Sequence, residues 1–396
     1  MKLKHLFFLI ASLFSIYFYG QINLSEKATV SVVTCGPGAE LYSSFGHSAF
    51  RIFDPVNKID NIYNYGTFDF DAPNFYLNFA KGKLTYQLSK ARYGYFLQIY
   101  NYEKRWVKTQ ELNLNNAQIQ ATYNFLENNA KPENKNYQYD FFYNNCSTKI
   151  EEVIKGILKD SVTFDNNHIT TQKTHRDLIA DYTKNQKWGK FGIDLALGSV
   201  IDKKATKDDY KFLPDYIFSA FENATINTIN GKQPLVKETK TVLNPKSKQV
   251  LKPLSFLTTP LFVLSCISLL ILFLSYKNFK NNTRSKWLDF LLFFVTGIVG
   301  IAVLLLWFAT DHTATYKNLN FLWAFAPNLI VAFYAIKLKL TKWTLYYTLL
   351  LISLIALAFI LWIYKIQVFN IAMLPLLVAL LVHYLFLLNF IHKKIK

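Results

Sequence analysis

Cysteine is scarce in this chain: three in 396 residues, at positions 35, 146 and 266. No two stand at the close spacing of a zinc site and no His-Glu-x-x-His run is present, so a metal centre would have to be assembled from distant residues. The 14 glycines never gather into a phosphate-cradling loop, which removes the usual nucleotide signature, and no cofactor is expected. Acidic residues are also few. The 26 Asp and Glu stand against 44 Lys and Arg, leaving a net charge of +18. That excess does not point to nucleic acid, because an RNP-like aromatic strand, a zinc spacing and a basic recognition helix are all missing. Internal repeats and low-complexity segments are missing too.

What is abundant is apolar: 52% of the residues are hydrophobic, and they separate from most of the charge near residue 255. The opening MKLKHLFFLIASLFSIYFYG places Lys2 and Lys4 before an apolar run from Leu6 to Phe18, the layout of a secretory signal over residues 1–20 or of an uncleaved anchor. Apolar stretches at about 256–275, 288–308, 318–336, 344–364 and 371–391 each approach the ~20 residues a bilayer core requires, and predict five transmembrane helices. The connections YKNFKNNTRSKW and KLKLTKW and the tail HKKIK carry four, three and three Lys or Arg, whereas ATDHTATYKN and KIQVFN carry one each. Positive residues thus mark alternate connections as cytoplasmic, which places residues 21–255 on the outer side of the membrane. Part of the basic balance is thereby a topology signal beside anionic headgroups.

Residues 21–236 read as one α+β domain. ATVSVVT at 28–34 has strand composition, ended by the turn residues of CGPG. HSAFRIF at 47–53 and NIYNYG at 61–66 flank DPVNKID as a hairpin, residues 84–100 look like further tyrosine-rich strand, and 112–129 looks helical, with Asn115 or Asn116 as its cap. After FFYNN, the segment CSTKIEEVIKGILKD repeats Ile150, Val153, Ile154, Ile157 and Leu158 at helical steps, so Cys146 opens an amphipathic helix capped by Asn145. The polar run at 237–255 reads as a linker to the membrane.

A cysteine at a helix start is commonly acidified, and the thiolate is the nucleophile, so Cys146 is the candidate for thiol chemistry. Such chemistry needs a base. His5 lies in the signal, His392 is cytoplasmic and His383 is inside the last apolar stretch. His168 and His175 sit in a polar segment and are expected at the surface. His47 remains, at a strand start behind Gly46, where the backbone can approach closely. Asn64 on the neighbouring strand is the candidate to orient its ring. Arg176 is expected either to meet a phosphate headgroup or to form a helix-face ion pair. Asp311 and His312, in an outer loop, are expected at the membrane surface.

A histidine on an early strand followed by Asn-Cys at a helix start resembles the circularly permuted branch of the NlpC/P60 papain-like fold, which includes lecithin–retinol acyltransferase. The stretches TCGPGAELYSSFGHSAFRI, IYNYGTFDFDAPNFYLNFAKGKLTYQLS, YDFFYNNCSTKI, WGKFGIDLALGSVIDKKAT and FLPDYI resemble the Lnb family, whose exported domain precedes a multi-helix membrane domain. The resemblance implies lipoprotein N-acylation: a fatty acyl chain passes from a phospholipid donor, through a thioester on Cys146, to the N-terminal cysteine amine of a diacylated lipoprotein. His47 would carry the proton. Two other functions fit the same residues. One is a periplasmic thiol hydrolase of cell-wall peptides, and the other is a non-catalytic envelope scaffold with a Cys35–Cys146 disulfide.

Overall fold

The computed structural model describes residues 22–69, 71–229, 231–245, 255–337 and 341–395. The signal read at 1–20 lies outside them, as do residues 246–254 of the expected linker. The periplasmic part begins with β1 (Thr29–Cys35), β2 (His47–Asp54), β3 (Ile59–Thr67), α1 (Phe75–Ala80), β4 (Thr85–Arg92), α2 (Tyr93–Tyr102) and β5 (Val107–Leu112). It continues through α3 (Asn116–Asn129), β6 (Asn136–Gln138), α4 (Cys146–Leu158), β7 (Val162–Thr163), α5 (His175–Tyr182) and α6 (Lys187–Ala196), and closes with α7 (Pro214–Glu222), β8 (Thr225–Thr228), β9 (Gly231–Pro234) and β10 (Val236–Leu243).

A seven-stranded sheet in the order β10-β5-β1-β2-β3-β4-β6 is antiparallel throughout, and β7, β8 and β9 form a smaller sheet. Strand alternation divides the residues of β1 between two cores. Val30 and Val32 pack with Phe50 and Ile52 under α3, α4 and α7, through Leu126, Ile150, Val153, Ile154, Ile217 and Phe221. Val33 and Cys35 turn the other way, with Ala49 and Ile62, against Tyr93, Phe96 and Tyr100 of α2. The α4 side chains Ile150, Val153, Ile154 and Leu158 are all buried, each worth about 1.5–3 kcal/mol relative to exposure. A third cluster, around Phe142, Leu178, Ile179, Tyr210 and Phe212, joins α5 to the segment before α4.

Three segments depart from the sequence reading. Residues 93–100, expected as strand, are helical. Tyr93, Phe96 and Tyr100 are the buried positions, at three- and four-residue steps. The expected linker contributes β10, whose residues pair with β5 and cover the sheet edge despite their polar side chains. The third apolar stretch is broken. It forms a 3-10 turn at Leu319–Leu322 and a short helix, α10 (Asn328–Lys337), with Pro327 immediately before the helix, where its missing N–H costs nothing.

The remaining apolar helices are α8 (Pro260–Lys280), α9 (Lys286–Phe308), α11 (Lys342–Ile363) and α12 (Met373–Ile395). Among the described residues these four are long and apolar enough to cross a membrane. The irregular segment between the 3-10 turn and α10 lies against α9 where Gly297 and Gly300 supply no side chain. A Cβ at Gly297 would stand 2.2 Å from the Leu329 nitrogen, and one at Gly300 would stand 2.0 Å from the Ala324 oxygen. His383, buried in α12, bonds Asp289 of α9 at 2.9 Å and Ser275 of α8 at 2.8 Å, and Arg284 also pairs with Asp289. This ionisable group is therefore spent on holding three helices together.

Candidate functional site

The ladder between β2 and β3 runs from Asp54–Ile59 to Phe50–Tyr63 and stops there, and β3 is irregular against β4 between Asn64 and Thr67. Beyond Phe50 the two strands part. The start of α4 occupies the gap. Gly66, at φ +84°, takes a backbone conformation that L side chains rarely adopt and lies in van der Waals reach of that helix start, its Cβ position 3.5 Å from the Cys146 Cβ and 3.8 Å from the Cys146 nitrogen. From the other side, the Ser48 and Ser147 hydroxyls stand 3.4 Å apart, which sets β2 against the first turn of α4.

Asn145 holds the helix start. Its side-chain oxygen accepts from the N–H groups of Ser147 at 2.8 Å and Thr148 at 2.9 Å, while the Thr148 hydroxyl accepts from the Asn145 N–H. The Asn145 amide donates to the carbonyls of Phe141 and Phe212, both at 2.7 Å, tying the cap to two loops. Asp140 sets the turn before it, accepting from the N–H groups of Phe142 and Tyr143 and forming a two-way backbone bridge with Asn144.

His47 begins β2 and pairs in register with Cys35 of β1. Gly46, at φ +84°, turns the chain into the strand, and a Cβ there would meet the Cys35 carbonyl at 2.7 Å. The His47 Nε2 lies 3.4 Å from Asn64 Oδ1, so the expected histidine and orienting amide do meet. The His47 imidazole and the Cys146 thiol keep a little open surface but are packed on most sides. Burial pushes the His47 imidazole down to about 4, helped by the nearby Arg105 cation.

Burial also pushes the Cys146 thiol up. The Ser48 and Ser147 donors pull it back without reversing the shift. The acidified thiol expected from the helix start is thus corrected: loss of water outweighs the favourable helix end. Cys35 is pushed up to about 12 by burial among Val33, Ala49 and Tyr100, and it stands as a free thiol, like Cys146 and Cys266.

Residues that carried no motif complete the surroundings. Arg105 is buried, donates to the Gly36 carbonyl at 2.7 Å and to Glu103 at 2.8 Å, and lies over the Tyr100 ring. Tyr139 sits 3.5 Å from the Gly66 Cβ position and stacks on Tyr86 at 4.0 Å. The glycine that closes the NIYNYG strand is a local signal for Gly66, whereas nothing local marks Arg105, which comes near His47 only through the fold.

Other candidates fall elsewhere. His175, expected at the surface, is buried between Phe142 and Phe212 because Thr174 caps α5 and turns the first residue of that helix inward. The His168 Nδ1 meets the Asp165 carbonyl at 3.1 Å. Arg176 is buried and ion-paired with Asp194 at 3.0 Å and Asp202 at 2.7 Å, which resolves its two expected roles in favour of the ion pair. His312 bonds the Phe79 carbonyl at 2.9 Å and the Asp311 N–H bonds that of Lys81 at 2.9 Å, so this loop braces the segment after α1. Among the described residues no group of three His, Cys, Asp or Glu side chains is placed to hold a metal.

A sheet-rich periplasmic domain followed by a helical region with four long apolar helices defines a multi-pass membrane protein with a periplasmic segment. The chain belongs to the Lnb family: the model of the Lnb N-terminal periplasmic domain matches residues 17–180, and that of the Lnb transmembrane domain matches residues 252–395. Membership makes it a membrane protein of lipoprotein processing. No curated protein and no solved structure matches it.

Proposed function

We propose that this protein is a lipoprotein N-acyltransferase whose periplasmic domain is a circularly permuted papain-like, NlpC/P60-like module. The observation that carries this reading is Cys146 at the capped start of α4, seated against Gly66 on the strand whose Asn64 meets His47, in a domain hydrogen-bonded to the outer loops of its own membrane helices. A hydrolase of cell-wall peptides would need only a tether, and a disulfide scaffold would need Cys35 and Cys146 joined, whereas both are free thiols.

At neutral pH the pair is a thiol and a neutral imidazole, so the proton must move during attack. Asn64 Oδ1 accepts from Nε2–H of His47 and leaves Nδ1 as the base. The Cys146 sulfur attacks the ester carbonyl of a phospholipid as its proton passes to His47. The tetrahedral oxyanion is met by the Cys146 N–H, one of the free donors of the helix start. Collapse expels the lysophospholipid alkoxide, which takes the proton from His47. The α-amino group of a diacylated lipoprotein then attacks the thioester, loses a proton to His47, and the thiolate recovers it.

The test is mass spectrometry of the purified protein after incubation with phospholipid. A fatty-acyl adduct on Cys146 that is absent from His47→Ala, together with loss of lipoprotein triacylation in Cys146→Ala at normal expression, is the expected result. Full triacylation by Cys146→Ala would end the proposal.

A further inference from the structure

Helix α1 exposes three large apolar side chains, Tyr76 at 78%, Leu77 at 52% and Phe79 at 53% of their surface, with exposed Lys81 and Lys83 directly behind them. Such a face on a soluble surface would be a liability. Its position gives it an occupant. The segment following α1 is bound to the loop that leaves the outer end of α9: the Asp311 N–H meets the Lys81 carbonyl at 2.9 Å, and His312 meets the Phe79 carbonyl and packs its ring 6.3 Å from that of Phe79. Gly82 is held so close that a Cβ would stand 2.9 Å from the His312 nitrogen. Because α9 ends at Phe308, itself exposed, this loop lies at the edge of the hydrocarbon layer and α1 lies level with the headgroups.

We infer that α1 dips Tyr76, Leu77 and Phe79 into the outer leaflet of the membrane that the chain itself crosses, with Lys81 and Lys83 against lipid phosphates, and that a row of rings behind it receives an acyl chain. Aromatic and aliphatic side chains beside lysines are the composition of an interfacial segment. The row is continuous. Phe75 of α1 lies 5.7 Å from Phe68, Phe68 lies 5.3 Å from Tyr86, Tyr86 stacks on Tyr139 at 4.0 Å, and Tyr139 adjoins Gly66 and Cys146. The leaflet contact stands by itself, whereas the destination of the acyl chain rests on the acyltransferase reading.

The experiment places a benzophenone amino acid at position 77 or 79 of the full chain, reconstituted in vesicles of phosphatidylethanolamine and phosphatidylglycerol. Irradiation is expected to join lipid to both positions and not to position 56, where Val56 is equally exposed in the turn at the far end of β3, about 25 Å from Thr67 at one strand's rise per residue. In the same vesicles, Leu77→Glu combined with Phe79→Glu is expected to slow acylation of Cys146 about tenfold while leaving its alkylation by iodoacetamide unchanged. Absence of lipid adducts at 77 and 79, or equal adducts at 56, overturns the inference. Adducts at 77 and 79 with no acylation of Cys146 in the unaltered chain uphold the leaflet contact and overturn the catalytic reading instead.

Discussion

Burial acts in opposite senses on His47 and Cys146: it holds the imidazole neutral down to about pH 4 and holds the thiol protonated above its usual range. An ion-paired cysteine would react at a constant rate from mildly acidic pH upward, whereas a neutral pair reacts as the thiol loses its proton. Alkylation of Cys146 by iodoacetamide, followed by peptide mass spectrometry, is therefore expected to rise about tenfold per pH unit from pH 6 to 9. A plateau below pH 7 would show a preformed thiolate. Cys35, pushed up to about 12, provides an internal comparison that stays unmodified. Acyl transfer should retain its base down to about pH 5, since His47 becomes protonated only as pH falls through about 4. Replacing Arg105 with Met removes a cation that depresses this value, so the acid limb of the rate profile should move toward higher pH, provided the variant folds.

The elements that bear the site were legible because their signals are local. Asn115 and Asn145 each stand before a 3.6-residue apolar pattern, and both form capping boxes in the structure. The hairpin of β2 and β3 follows from two strand-forming runs around a turn. What local signals could not show is where paired strands separate, because the ladder ends beyond Phe50, where the start of α4 packs against the positive-φ backbone of Gly66. The same limit applies to β10, whose polar side chains say nothing of the backbone bonds that place it on β5.

In the membrane region, hydropathy measured the length of the third apolar stretch but not its continuity. That irregular backbone is tolerated because it is buried against Gly297 and Gly300 and because polar side chains take up its N–H groups: the Leu319 N–H donates to Gln367 at 2.7 Å, and the Asn320 N–H donates to Asn318 at 3.0 Å. A single methyl group tests this arrangement. Gly300→Ala would set a Cβ within 2.0 Å of a backbone oxygen that cannot swing aside, so α9 and the broken segment must separate. The expected cost is about 1–3 kcal/mol, seen as a lowered midpoint of thermal unfolding in detergent, whereas Gly156→Ala, on an open face of α4, should leave that midpoint unchanged or raise it.

The proposed chemistry on membrane lipids would require the periplasmic domain to be held at a fixed height and angle, and a buried polar knot joins that domain to the membrane region. Arg176 of α5 joins Asp194 of α6 and Asp202, and those two carboxylates also reach the membrane region, where Asn370 donates to Asp194 at 2.7 Å and the Val368 N–H donates to Asp202 at 3.2 Å. Asn318 and Asn320 bind the carbonyls that end α6, at 2.9 and 3.2 Å to Leu195, and Trp188 reaches the Thr258 carbonyl at 2.8 Å. Removing Asp194 leaves Arg176 with Asp202 as its one carboxylate and the Asn370 amide without its acceptor, a loss of about 1–3 kcal/mol for a buried polar group left unsatisfied. Asp194→Ala should therefore lower thermal stability by that order, and Asp194→Asn, which keeps the shape and part of the bonding, by less. The site itself lies elsewhere, on β2, β3 and α4. Iodoacetamide should still reach Cys146 in Asp194→Asn at the unaltered rate, while acylation of Cys146 from vesicles falls. Equal losses of alkylation and acylation would mean that the knot supports the fold of the thiol site, and unchanged acylation would mean that the domain needs no such hold to meet its lipid.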